Sequence, residues 1–230
     1  MKRIGILGGM SPEATAEYYL HITRRYTERF GNCSYPEIFI HSVSFQPYID
    51  WPAAGRWDLV ADGLVEGARG LERAGADFLV IPANTMHYVL PQISPRIGIP
   101  ILSLPDAVRE EVASHGLRCV GLLGTRYTME LPFYGKVLGK SSIQVIVPRD
   151  EDRGIVDRTI YEELVFGQIR ERSRQAFLRI IGDLVAQGAQ AVILACTEIP
   201  LLIRPDDCPV PVFDSCRIHA DAALEHALGE

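Results

Sequence analysis

The sequence predicts an α/β fold: two pseudo-symmetric lobes, each a mostly parallel sheet flanked by helices. Three observations carry the prediction. Short apolar runs alternate with amphipathic stretches along the 230 residues, the pattern of parallel βαβ units. The chain also repeats itself. Gly75-Ala76 and the run to Ile81-Pro82-Ala83-Asn84-Thr85 return as Gly188-Ala189 and the run to Leu194-Ala195-Cys196-Thr197-Glu198, 113 residues later. Ile4-Gly5-Ile6-Leu7-Gly8-Gly9 returns as Val120-Gly121-Leu122-Leu123-Gly124-Thr125 at an offset of 116, and Ile99-Pro100-Ile101-Leu102 as Val210-Pro211-Val212-Phe213 at 111. The first two repeated runs end in small or polar residues. Ligands of parallel sheets bind at such carboxyl ends, so a cleft lined by Gly8–Ser11, Ala83–Thr85, Thr125–Thr128 and Cys196–Glu198 is expected.

In order, Arg3–Leu7 reads as a buried strand, and Gly8-Gly9-Met10 as a turn. Ser11 then caps a helix with Pro12 at its first position, running to about Phe30. This strand, glycine turn and helix can present backbone N–H groups to an anion, or can be a tight turn with no ligand. Glu37–Val43 reads as the second strand, and residues 44–56 as a long loop, a lid or specificity segment. Trp57–Ala74 is a helix ended by Gly75. The first twin strand follows, then a helix from Asn84-Thr85 that Pro91 shortens, a strand at Ile99–Leu102, and a helix from Pro105 to His115. After the strand at Val120, Gly154–Phe166 and Arg172–Gln187 read as helices. The first lobe is assigned to residues 1–104 plus 211–230, the second to 105–210.

Composition is that of a soluble globular protein, 47% hydrophobic and 23% charged. The net charge of −6 and the absence of a basic block beyond Arg24-Arg25 argue against nucleic acid as a partner. No apolar run reaches membrane-spanning length, and the N-terminal run is too short for a signal peptide. Five scattered cysteines without CxxC spacing point to reduced thiols and a cytoplasmic protein. No Cys/His spacing suits a metal, and no residue pattern calls for an organic cofactor.

The chemistry-bearing candidate is Cys196. A helix starting just after it would favour the thiolate, and Glu198 would oppose that. A lone cysteine after an apolar strand is more often an inert core residue; its place in the repeat, opposite Ala83, is what singles it out. Asn84, Thr85, Thr125 and Thr197 can cradle a carboxylate or cap helices, and the two roles are compatible. His87 reads more readily as a bonded, partly buried imidazole than as a catalyst. The chain has no GxSxG nucleophile elbow.

Leu7-Gly8-Gly9-Met10-Ser11, Asn84-Thr85-Met86-His87, Gly121-Leu122-Leu123-Gly124-Thr125 and Cys196-Thr197-Glu198 resemble the aspartate/glutamate racemase family along the whole chain. Gly124–Glu130, Tyr161-Glu162-Glu163-Leu164 and Pro211–Asp214 are most similar to its enterobacterial members, which are broad in specificity or act on L-aspartate and L-glutamate. The resemblance implies two similar lobes with the active site between them, a homodimer, no pyridoxal phosphate, and an amino acid or related carboxylate as substrate. It implies Cys196 as one thiol base, and Met10, Asn84, Thr85, Thr125, Thr197 and Glu198 as substrate-binding residues. A carbon acid deprotonated on one face and reprotonated on the other needs an acid and a base, and donors for the enediolate that forms.

Two departures stand out. Where the family has its first cysteine, or threonine in the enterobacterial relatives, this chain has Ala83, which carries no proton. A base replaced by design, a water or other side chain as second acid, and chemistry on one face (as in the related arylmalonate decarboxylases) are all compatible with that. A binding protein that has lost a base is a further alternative. The basic residues that aspartate-selective members use are also missing: the matching segments read Phe45-Gln46-Pro47 and Leu164-Val165-Phe166. This favours a larger or less charged amino acid. Trp51 and Trp57 are the aromatics expected at the surface.

Overall fold

The computed structural model describes residues 1–229 and divides into two compact units. The first comprises Met1–Leu104 and the chain from His219 onward; the second is Pro105–Ile218.

The first unit begins with β1 (Ile4–Gly8), α1 (Pro12–Phe30) and β2 (Ile38–Ser42). It continues with α2 (Gln46–Ala53), α3 (Trp57–Ala74), β3 (Phe78–Val80), a 3-10 turn at Thr85–Val89 and the short α4 (Leu90–Ile93). Its parallel sheet has the order β2-β1-β3. β1 and β3 are buried at every position, as uninterrupted apolar runs in a parallel sheet should be. Ser11 caps α1 by accepting from the Ala14 N–H at 3.3 Å. α3 buries Val60, Ala61, Leu64, Val65, Ala68 and Leu71, a helical stripe against the core that contains Leu7, Leu79 and Ile81.

The second unit holds α5 (Leu104–Ser114), β4 (Cys119–Gly124), α6 (Arg126–Glu130), α7 (Phe133–Gly139) and β5 (Gln144–Ile146). α8 (Asp150–Glu162), α9 (Glu171–Ala186), β6 (Ala191–Ala195), α10 (Ile199–Leu202), β7 (Val212–Asp214) and the first turn of α11 (Ser215–Leu228), a helix that enters the first unit at His219, follow. The parallel order is β5-β4-β6-β7. α8 begins at Asp150, earlier than the expected Gly154, because Asp150, Glu151 and Asp152 suit the positive end of a helix.

The repeat is preserved in the register. Gly5 lies opposite Leu79 in the first sheet, and Gly121 opposite Val192 in the second, the same pairing one repeat on. Leu79 bridges Ile101 just as Val192 pairs with Val212, and in each case the N–H of the first residue donates to a proline carbonyl, Pro100 or Pro211. Ala83 is therefore the positional counterpart of Cys196, Asn84 of Thr197 and Thr85 of Glu198.

Four expectations are corrected. The strand expected at Ile99–Leu102 shrinks to a single bridge at Ile101. β7 hydrogen-bonds to β6, so residues 211–218 belong to the second unit and the chain rejoins the first only at His219. The 44–56 loop contains α2, with Pro47 in the first turn, where its missing N–H costs nothing, and with Tyr48 and Pro52 buried. Trp51 and Trp57 are half-buried against the first core, Trp51 edge-on to Tyr48 at 5.2 Å and Trp57 to Tyr88 at 4.7 Å.

His219 is wholly enclosed. Its Nε2–H donates to the Leu102 carbonyl at 3.0 Å, and Nδ1 accepts the Tyr18 hydroxyl at 2.9 Å. Burial, aided by the nearby His87, pushes its pKa down to about 3. Unfolded, the group would titrate near ~6.5, so below that pH the unfolded chain binds the extra proton. This contribution to stability is complete above pH ~6.5 and declines by about 1.4 kcal/mol per pH unit toward the folded value. Urea unfolding at a series of pH values is expected to show this acid limb, and His219→Gln to flatten it; equal limbs in both chains would exclude His219 as the source.

Candidate active site

β6 carries Cys196 out of the second sheet as a half-buried side chain. Its Sγ–H donates to Glu198 Oε2 at 2.9 Å, and the Thr197 hydroxyl donates to the same oxygen at 2.7 Å. Glu198 is buried. Burial first, and then the charge and hydrogen bond of Glu198, push the Cys196 thiol well above its ordinary range. Of the two opposing influences expected on Cys196, that of Glu198 prevails, together with burial, and the thiol is the resting form. α10, the helix that follows, is four residues long, too short to set up a dipole that outweighs an adjacent carboxylate. Glu198→Gln removes the opposing charge and is expected to lower the Cys196 pKa, leaving the burial effect in place. Alkylation of the Cys196 peptide, followed by mass spectrometry across pH, should rise at lower pH in the variant; an unmoved profile would show that Glu198 does not control the thiol.

Thr125 is buried and sits at the end of β4. It caps α6, its Oγ1 accepting from Thr128 N–H at 3.4 Å and lying 3.1 Å from Thr128 Oγ1. The second unit also gathers groups around Cys196 that sequence reasoning passed over. Tyr161, half-buried on α8, lies within electrostatic reach of Cys196, Asp157, Tyr127 and Glu198; burial first, and then the repulsion its phenolate would meet from these groups when ionised, push its phenol upward. Asp157, one helical turn before Tyr161, accepts the Arg126 N–H at 2.7 Å, and burial pushes its carboxyl above the usual range. The four-residue spacing of Asp157 and Tyr161 is a helix-face signal visible in the sequence. What they face is not.

In the first unit, Ala83 is half-buried and packs against the core; Asn84, Thr85 and Met10 are buried, Met10 within the core cluster. Asn84 does not cap the turn that follows it. The glycine turn after β1 is closed by its own helix. Gly9 N–H donates to Thr15 Oγ1 at 2.8 Å, which favours the tight-turn reading over an anion cradle. A Cβ on Gly8 would lie 2.3 Å from that Oγ1, and Gly9 has φ +93°, with a Cβ meeting the Val43 carbonyl at 2.3 Å. His87 is buried and bonded on both ring nitrogens, as its bland reading expected.

Among the described residues no helix is long and apolar enough to cross a membrane. Comparison with known proteins gives one consistent result. The chain is similar to the crystal structure of a protein from Yersinia pestis assigned as an Asp/Glu racemase: 44% identity, TM-score 0.92, covering 99% of this chain and 100% of that one. An aspartate racemase homologue from Pyrococcus horikoshii OT3 is 39% identical with a TM-score of 0.83, again over 99% and 100%. The broad specificity amino-acid racemase RacX of Bacillus subtilis (strain 168) is 26% identical over 215 residues, 92% of each chain. With the sequence model of that family matching residues 7–223, across both units and both strand ends, the chain belongs to the Asp/Glu/Hydantoin racemase family.

Proposed function

We propose that the chain is a cofactor-independent amino-acid racemase in which Cys196 transfers the α-proton and Glu198 stands behind it. The observation that carries the reading is the Cys196 thiol donating to the buried Glu198 carboxylate at 2.9 Å, at the carboxyl end of a central strand in a chain of this family. To act as a base, the thiol passes its proton to Glu198, leaving a thiolate and a neutral carboxylic acid without change in total charge. The thiolate removes the α-proton, and the electron pair passes into the substrate carboxylate as an enediolate. Oriented donors stabilise that charge. The residues proposed for this are Thr125 and Thr197 in the second unit, and Asn84 and Thr85, with Met10, in the first. Reprotonation on the second face falls to water or another acid, since Ala83 offers none.

A neutral amino acid is the favoured substrate. Gln46 and Phe166 stand in segments where a cationic clamp for a second carboxylate would be expected, Gln46 is bonded to Asp50 at 2.9 Å, and Phe166 is exposed. The five cysteines, all present as thiols, support a reducing compartment such as the cytoplasm, and the family resemblance supports a homodimer. Ala83 favours a second reading: chemistry on a single face, as a decarboxylase or isomerase of a small carboxylic acid. Proton NMR of each enantiomer in deuterated buffer separates the two. Deuterium entry with inversion supports the racemase; exchange of one enantiomer without inversion supports the single-face enzyme. Absence of exchange from a broad amino-acid panel would overturn both in favour of carboxylate binding alone.

A further inference from the structure

We infer that His87 is a positioning residue that fixes the peptide geometry of the Ala83–Thr85 turn, so that the turn is preset for substrate independently of any side chain at position 83. The inference rests on reading that turn as part of the substrate site.

The protonation pattern follows from the partners. The Leu104 N–H can only donate, and it points at His87 Nε2 at 3.1 Å, so Nε2 is the lone-pair nitrogen. Nδ1 therefore bears the proton and donates it to the Ala83 carbonyl at 3.0 Å. His219 has the opposite tautomer, with Nε2–H on the Leu102 carbonyl and Nδ1 accepting from Tyr18. The two rings meet edge to face, their centroids 6.0 Å apart. A neutral imidazole pair thus braces the turn against Leu102 and Leu104.

The other end of residue 83 is fixed as well. Its N–H donates to the Ile81 carbonyl at 2.7 Å, closing a three-residue turn around Pro82, whose ring restricts φ. Both peptide groups flanking Ala83 are therefore held, one by a γ-type turn and one by His87. Asn84 and Thr85, immediately after, inherit that orientation.

The internal repeat shows that this brace is a special feature. In the second unit the counterpart of His87 is Pro200, and the Cys196 turn is tied instead by Glu198 bonded to Cys196 and Thr197. One turn is held through its reacting side chain, the other through its backbone. A backbone brace on the turn that lacks a reacting side chain assigns that turn to binding rather than to proton transfer.

Two substitutions separate positioning from simple support. In His87→Asn the amide nitrogen falls where Nδ1 was and keeps the bond to Ala83; in His87→Gln the amide oxygen falls where Nε2 was and keeps the bond to Leu104. Each variant loses one buried bond, so both are expected to lower Tm by several degrees. Only His87→Gln is expected to speed amide hydrogen exchange at Asn84 and Thr85 at least ~10-fold and to raise KM by a similar factor, with His87→Asn within ~2-fold of the parent. Equal effects of the two on amide exchange would overturn the inference. If the parent shows no turnover, the racemase reading fails, while the amide-exchange comparison still decides the role of His87. Should either variant not fold, long-range nitrogen–proton spectra of the parent decide: Nδ1–H at His87 is expected, and Nε2–H there would overturn the brace.

Discussion

Cys196→Ala is expected to lower α-proton exchange by ~10²–10⁴-fold, the range a positioned acid–base group contributes. The residue is half-buried beside Glu198, and alanine removes one sulfur without disturbing β6, so the fold should persist. Exchange is read by deuterium entry at Cα for both enantiomers, with circular dichroism as the check on folding. The acidic limb of the rate profile carries a second signature. Cys196 rests as a thiol held well above its ordinary range; transfer of its proton to Glu198 leaves the total charge unchanged and does not vary with pH, whereas thiolate formed by loss of the proton to solvent grows as pH rises. The parent rate should therefore increase toward alkaline pH, and Glu198→Gln should shift that rise to lower pH. An unchanged exchange rate in Cys196→Ala would remove the thiol from the mechanism.

Ala83→Cys is expected to increase racemisation by ~10²-fold or more, by supplying an acid at the counterpart of Cys196. The direction of the side chain at position 83 is set by bonds of its backbone, from Ala83 N–H to Ile81 and from His87 to the Ala83 carbonyl. A cysteine there should adopt the direction alanine now has. The measurement is chirality against time beside deuterium entry. A chain whose exchange was confined to one enantiomer should begin to invert it; a parent that already racemises should accelerate. No gain in a folded Ala83→Cys variant would mean that the second proton comes from a group unrelated to this position, with water as the first alternative.

The sequence alone determined the two-fold plan. Apolar runs such as Ile4–Leu7 and Ala191–Ala195 cannot face water, so they mark the central strands wherever they occur. Their repetition at offsets of 113 and 116 set the equivalence of Ala83 with Cys196 before any pairing was known, and the register of Gly5 with Leu79 and of Gly121 with Val192 reproduces it. Local signals also placed the ends of α1 and α3, through Ser11, Pro12 and Gly75, because capping depends on neighbours a few residues away.

What only the tertiary structure decided depends on contacts between distant residues. α2 was hidden because its helical signal is short and holds two prolines, and it is stabilised by burying Tyr48 and Pro52 rather than by propensity. β7 falls in the second unit because a three-residue strand takes its place from its partner, β6, which lies some 20 residues earlier in the chain. The protonation of Cys196 followed from how far it is buried and from where the Glu198 carboxylate points, neither of which sequence proximity fixes. Tyr161 takes its place near Cys196, and Asp157 its place beside the Arg126 N–H, from the packing of α8, and His87 takes its bonds from Leu104 and Ala83. Periodicity and capping are local and are written in the sequence; ionisation and side-chain partners depend on three-dimensional neighbours, and these the fold alone supplies.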